Sequence, residues 1–291
     1  MTRIDLDPTG TAVAPGRDPR DGWAVERSGF PATRTPSFPR FPAKYGERSV
    51  TSPEVFTAEP LEAIPATAVL CYTKFLSKAL GEVLEAHPES RESKAFPGLH
   101  YLNPALALVE NTGLLGASMA AVQLERLIQL GIRSFIVLGI AGSLQEGVDI
   151  GHVVVGDRAV RDEGTSYHYL PSSDYAWPSP ELTGQVAEHL RRGGLEIHVG
   201  GTWTTDAIFR ETLLEVRELA QEGILTVEME ASALFSVAHF RGVEIAAVFV
   251  VSDRVHREDW ERGQEGRDLD ASLSRVLARL GAFGAPGQQV P

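Results

Sequence analysis

The sequence predicts an α/β protein: a single domain of three layers, α/β/α, around a central mixed, mostly parallel sheet. Two observations predict it. From Ala66 onward, short apolar runs alternate with amphipathic stretches, the pattern of parallel strands flanked by helices. Several of those runs end in Gly, Asp or Glu, as strands do where an open α/β sheet meets its ligand crevice.

A chain of 291 residues with 43% hydrophobic content can bury a full core. Its formal charge of -12 repels phosphate backbones and anionic headgroups, which argues against nucleic acid and membrane surfaces as partners. Cys71 is the only cysteine, so an internal disulfide and a multi-cysteine zinc site are both excluded. It lies in the apolar run Ala68-Val69-Leu70-Cys71-Tyr72 and reads as a buried, inert thiol. No apolar run reaches the roughly 18 residues that span a bilayer, and no signal pattern opens the chain, so a cytoplasmic address is expected.

Residues 1–50 mix Pro, Gly, Arg and Asp without periodicity and read as an irregular extension; 51–283 are expected to form the single folded domain and 284–291 a tail. Strands are expected near 66–72, 104–110, 133–139, 152–160, 197–204, 224–228 and 244–251. Helices fall between them at 117–130, 181–192, 211–221, 229–241 and 268–281, where apolar residues recur every three or four positions. In the helix over 229–241, Leu234, Val237 and Ala238 share a face, and Gly242 is its stop. The strand over 133–139 runs out into Gly139-Ile140-Ala141-Gly142, where backbone can approach a bound molecule. That spacing does not fit a dinucleotide fingerprint.

The chemistry concentrates at two strand ends. In Thr226-Val227-Glu228-Met229-Glu230-Ala231, a strand ends in two carboxylates flanking a methionine, and a helix begins. Such acids cap a helix and are favoured by its dipole, a role that competes for Glu228. A carboxylate there can also grip vicinal hydroxyls, because it accepts from both. In Val250-Val251-Ser252-Asp253, another strand delivers an acid to its carboxyl end. A carboxyl desolvated in such a place holds a proton at neutral pH; the alternative is an Asp that caps a turn.

The run Gly131 to Gln145, with Val148 to Val155 after it, resembles the central strand-loop-strand of the nucleoside phosphorylase superfamily. Ala159 to Pro171 resembles the uridine phosphorylase segment, and Val227-Glu228-Met229-Glu230 with Ser252-Asp253 resembles the sugar and base motifs of the superfamily. The likeness covers about residues 66 to 281 in consistent order. It implies cleavage of a nucleoside's N-glycosidic bond. Glu230 would bind the ribose 2′ and 3′ hydroxyls, Met229 would pack on the sugar, and Glu228 would line the same wall. Asp253, matching the acid of the purine branch, would protonate the departing base, which favours a purine. Ala141 and Gly142 would border the site, and Ile208 and Phe209 would wall a flat heterocycle. Arg161 and Arg210 are candidate substrate contacts, Asp206 a buried hydrogen-bonding strut, and His168 and Tyr169 loop residues near the site. The positions that read uracil in uridine phosphorylases hold Thr212 and Leu214 here, which weakens a uracil assignment.

The resemblance implies no cofactor or metal, a small-molecule nucleoside as ligand, and a homo-oligomer, a dimer or a trimer of dimers. It leaves the acceptor open. Phosphorolysis, with phosphate as co-substrate giving ribose 1-phosphate, is the superfamily's habit. Yet its phosphate ligands, an Arg before the central glycine and a Ser or Thr after it, are replaced by Val137 and Ile140. The early phosphate loop is replaced by Tyr72-Thr73-Lys74-Phe75. A dianion needs donors that Val and Ile lack, so hydrolysis by water stands as the alternative, with Lys74 among the substitute cations. A silent nucleoside-binding protein is a third reading, although binding alone needs no proton donor.

Overall fold

Alternation along one strand shows how the layers form. In β5 (Ser134–Ser143), Phe135 and Val137 pack into one apolar cluster with helices α2 (Ala117–Gln129) and α5 (Ala231–Arg241). Ile136 and Leu138 pack into the other, with α1 (Leu76–Ala86), α3 (Pro180–Arg192) and α6 (Arg267–Leu280). Side chains of period two on a strand covered on both faces give the expected α/β/α layering. The computed structural model describes residues 39, 41–56, 59–72, 75–111, 115–256, 261–263 and 267–284. Most of the expected extension, Thr73, Lys74, Thr112, Gly113 and the tail from 285 lie outside them. By contacts the chain divides into Met1–Arg40 and Phe41–Pro291, and the layered sheet belongs to the second unit.

The remaining strands are β1 (Thr67–Tyr72), β2 (Arg91–Glu92), β3 (Leu99–Asn103), β4 (Leu106–Glu110), β6 (Val153–Asp162), β7 (Tyr175–Ala176), β8 (Ile197–Thr205), β9 (Ile224–Glu228), β10 (Glu244–Arg254) and β11 (Glu261–Arg262). Helix α4 (Leu213–Gln221) opens with a reciprocal capping box between Thr212 and Glu215. The expected strands and helices all occur. Sequence periodicity did not reveal α1 or the short strands β2, β3, β7 and β11, although α1 buries Leu76, Ala79, Leu80 and Val83 at helical spacing. Helix α5 stops at Gly242, whose φ of 66° favours glycine.

The strand order is β11-β10-β6-β8-β9-β5-β1-β4-β3-β2, and β10 also pairs with β5. That extra pairing closes β5, β10, β6, β8 and β9 into a ring, with β1 and β4 continuing as a parallel wing. One correction concerns β5. Its glycines do not end it, because Gly139 to Ser143 stay extended and keep β10 as ladder partner throughout.

Candidate active site

Because β10 occupies one edge of β5 over its whole length, β1 and β9 must share the other edge. Parallel β1 ends where Tyr72 faces Gly139, and antiparallel β9 arrives where Val227 faces Gly142. The two strands therefore run head-on along β5. Their ends are separated by Ile140 and Ala141, a span of roughly 10 Å at the rise of an extended chain. Both chains leave the sheet here, β1 toward α1 and β9 into α5. This is a topological switch point, where α/β sheets open a ligand crevice.

Glu228 ends β9, and its position is over-determined. It accepts from Thr204 Oγ1 at 2.6 Å and from the backbone N–H groups of Glu230 and Ala231 at 2.8 and 2.7 Å. The buried Thr204 hydroxyl also accepts from Ser232 N, and Ser232 Oγ donates to Glu163, so one polar network anchors the first turn of α5. The capping role thus accounts for the Glu228 carboxylate, and the expected wall contact with sugar is not needed to explain it. Burial and the neighbouring Glu230 carboxylate push its pKa up against those three donors.

Glu230, partly buried, reaches the start of α2 and accepts from Gly116 N at 2.6 Å. Gly116 caps α2 at φ 90° and ψ 158°, a conformation for which only glycine is suited. Burial raises the Glu230 carboxyl to about 6, while the Gly116 and Met229 N–H groups draw it down. Its charge in turn reaches Tyr72, whose hydroxyl burial pushes well above the usual range.

Asp253 lies inside β10 rather than beyond it. The register slips between Val251 and Asp253, so Val251 faces Ala141 and Asp253 faces Gly142. Such a bulge re-aims a side chain, and bulges favour sites. A Cβ at Gly142 would sit 3.1 Å from Asp253 Oδ2 and 3.1 Å from Val227 Cγ1, so this glycine lets the acid approach β9. Ser252 Oγ donates to Asp253 Oδ1 at 2.6 Å. Asp253 and the Glu228–Glu230 segment thus stand at one end of the ring, next to the same stretch of β5, which includes Ala141 and Gly142.

The other candidates are placed differently. Arg161 does not reach toward the acids: its guanidinium donates to Ser166 Oγ, Pro171 O, Ser173 Oγ and Leu170 O, leaving at most one of its five N–H groups. It holds its own loop and stacks on Tyr167. Ile208, Phe209 and Arg210 form a short 3-10 turn facing solvent, with Phe209 91% exposed, so no apolar wall is assembled there. Asp206 is a strut, as expected, accepting from Gly164 N at 2.8 Å, but an exposed one. His168 pairs with Lys44, and Tyr169 packs edge-on to Phe240. Those two line a cavity of about 340 Å³ at the far ends of α2 and α5, which includes none of the three acids. Cys71 is buried, its thiol pushed up to about 12.

Sequence reasoning missed Glu211, between the Ile208–Arg210 turn and α4. Burial first, then the charges of Asp253 and Glu215, raise its carboxyl to about 7. It gave no role to Tyr72, which ends β1, or to Asn111, which follows β4, although both are polar groups at strand ends. Among the described residues, no three His, Cys, Asp or Glu side chains gather to hold a metal ion, and no helix is long and apolar enough to cross a membrane.

The layered sheet and its switch point, bordered by acids, define an α/β protein with the strand topology at which such sheets bind ligands. The chain belongs to the phosphorylase superfamily, whose family model matches residues 66–282. It is 29% identical over 163 residues to a guanosine phosphorylase of Halorubrum lacusprofundi, covering 56% of this chain and 66% of that protein. It is 31% identical over 149 residues to a DeoD-type purine nucleoside phosphorylase of Bacillus cereus, covering 50% and 63%. A uridine phosphorylase of Thermococcus kodakarensis is 31% identical over 187 residues, 58% of this chain and 66% of that one. The chain therefore spans just under two thirds of the length of these curated relatives. In fold it is similar to a Vibrio fischeri uridine phosphorylase, with a TM-score of 0.62 at 22% identity over 75% of this chain and 90% of that one. It is similar also to a Toxoplasma gondii purine nucleoside phosphorylase in complex with immucillin-H, with a TM-score of 0.64 at 17% identity over 76% and 92%.

Proposed function

We propose that this chain cleaves the N-glycosidic bond of a purine nucleoside at the opening between β1 and β9. Breaking that bond builds positive charge on the sugar and negative charge on the base, so the reaction needs an anion near one and a proton near the other. In this reading Glu230 binds the ribose hydroxyls and steadies the sugar cation, Met229 packs against the ring, and Asp253 protonates the base. The observation that carries the reading is the β10 bulge, which sets Asp253 opposite Gly142 while β9 brings Glu230 to the same stretch of β5. The purine choice rests on Asp253 and on Thr212, which caps α4 where uridine phosphorylases read uracil.

Phosphorolysis is the reaction that the relatives' names carry. Hydrolysis is favoured by a specific observation: Val137 is 1% exposed within the core, and Ile140 packs against the apolar cluster on the other face of β5, so neither side chain offers phosphate a donor. The full chain, incubated with a panel of purine and pyrimidine nucleosides with and without phosphate, is expected to release free purine, read by chromatography. No base from any nucleoside would refute cleavage and leave the silent-binder reading.

A further inference from the structure

Resting on that reading of nucleoside cleavage, we propose that Tyr72 and Asn111 hold the water molecule that accepts the ribosyl group, making the cleavage hydrolytic. Cys71 pairs with Glu110 in the parallel β1–β4 ladder, and Asn111 N donates to Cys71 O at 3.0 Å. The next residues, Tyr72 and Asn111, are therefore lateral neighbours on the same face, roughly 4.8 Å apart across the strands. That face also carries the N-termini of α2 and α5, and so Gly116 and Glu230.

Both side chains are buried, 6% and 2% exposed, yet among the described residues the Tyr72 hydroxyl and both ends of the Asn111 amide have no hydrogen-bond partner. Buried polar atoms are almost always paired, with protein, water or ligand. Three orphaned atoms side by side at a ligand crevice mark a place built for a small neutral hydrogen-bonding molecule. A phosphate dianion fits poorly. The charge acting on Tyr72 is the negative one of Glu230, and among the described residues no cation acts on either group. Water carries no charge to be repelled.

One arrangement uses all three atoms. The water accepts from the Tyr72 O–H, donates one hydrogen to Asn111 Oδ1 and the other to Glu230, and keeps a lone pair for the sugar C1′. Asn111 Nδ2 then donates to a sugar hydroxyl. As the water oxygen bonds to C1′, the C1′–N bond breaks and its electron pair leaves on the base. The base takes a proton from Asp253, the water's proton passes to Glu230, and exchange with solvent restores both acids. The products are free base and ribose.

The test uses the full chain with a purine nucleoside, following base, reducing ribose and ribose 1-phosphate with and without inorganic phosphate. Base and ribose should form in equal amounts, at a rate phosphate does not change. In Tyr72→Phe, kcat should fall roughly tenfold, the loss of one hydrogen bond to the attacking water. KM should hold, and the melting temperature should stay level or rise, because an orphaned hydroxyl is removed. Asn111→Ala should lower kcat similarly. Release that requires phosphate and yields ribose 1-phosphate would overturn the water site while leaving nucleoside cleavage intact. Phosphate-independent release with both variants at full speed would overturn the roles of these two residues, and no cleavage at all would overturn the parent reading as well.

Discussion

Replacing Glu211 with Gln is expected to stabilise the protein above pH 7 and to change little near pH 4.5. Burial, with Asp253 and Glu215 nearby, raises this carboxyl from 4.5 to about 7. A folded-state value above the unfolded one means that the folded chain binds the proton more tightly. The stability this provides is complete below about pH 4.5 and is lost as pH climbs through about 7. At 1.36 kcal/mol per tenfold in proton affinity, the rise corresponds to roughly 3 kcal/mol. The carboxyl keeps contact with solvent, and screening reduces this to on the order of 1–2 kcal/mol. Glutamine keeps the shape and cannot ionise, so the variant should escape the penalty. For a domain of this size the gain at pH 8 is about 3–6 °C in melting temperature. Thermal melts of both proteins at pH 4.5 and pH 8 measure it. Equal melting at pH 8, or a gain confined to low pH, would refute a carboxyl held protonated beside Asp253.

Asp253→Asn should slow base release from purine nucleosides by roughly a hundredfold or more, the usual contribution of a positioned acid, and near-normal turnover would remove it from that role. Glu230→Ala should raise the barrier by about 3 kcal/mol in steady-state kinetics, the scale of a lost charge-stabilising contact; unimpaired turnover would place the sugar elsewhere. Gly142→Ala should cost about 1–3 kcal/mol of stability by overpacking, since its methyl meets Asp253, Val227 and Val255 at 3.1 Å each. Its activity should fall with the displaced Asp253, and wild-type values in both melting and turnover would show that the contact is slack.

The elements were legible because their signals are local. Leu234, Val237 and Ala238 write the buried face of α5, and Gly242 writes its end. The Glu228–Glu230 pair and Asp253 were legible too, as acids closing apolar runs. The roles of Glu228 and Arg161 were not. Whether a carboxylate caps a helix or faces a ligand depends on Thr204, 24 residues away in sequence, which donates to Glu228 in the fold. Whether a guanidinium is available depends on which carbonyls its own loop turns inward, and Leu170 and Pro171 claim Arg161. The exposure of Phe209 was equally illegible, because a Phe reads as core or wall until the packing is known.

Periodicity and strand-end chemistry, which act over a few residues, determined the layered α/β class, the order of its longer strands and most of its helices, and the acids at their ends. Tertiary structure alone decided the closure of β10 onto β5, the bulge that turns Asp253 toward Gly142, and the burial of the Tyr72 hydroxyl and the Asn111 amide without hydrogen-bond partners among the described residues. The reason is range: hydrogen-bond ladders and burial join residues far apart in the chain, and one apolar run pairs equally well with several others until the whole sheet selects its neighbours.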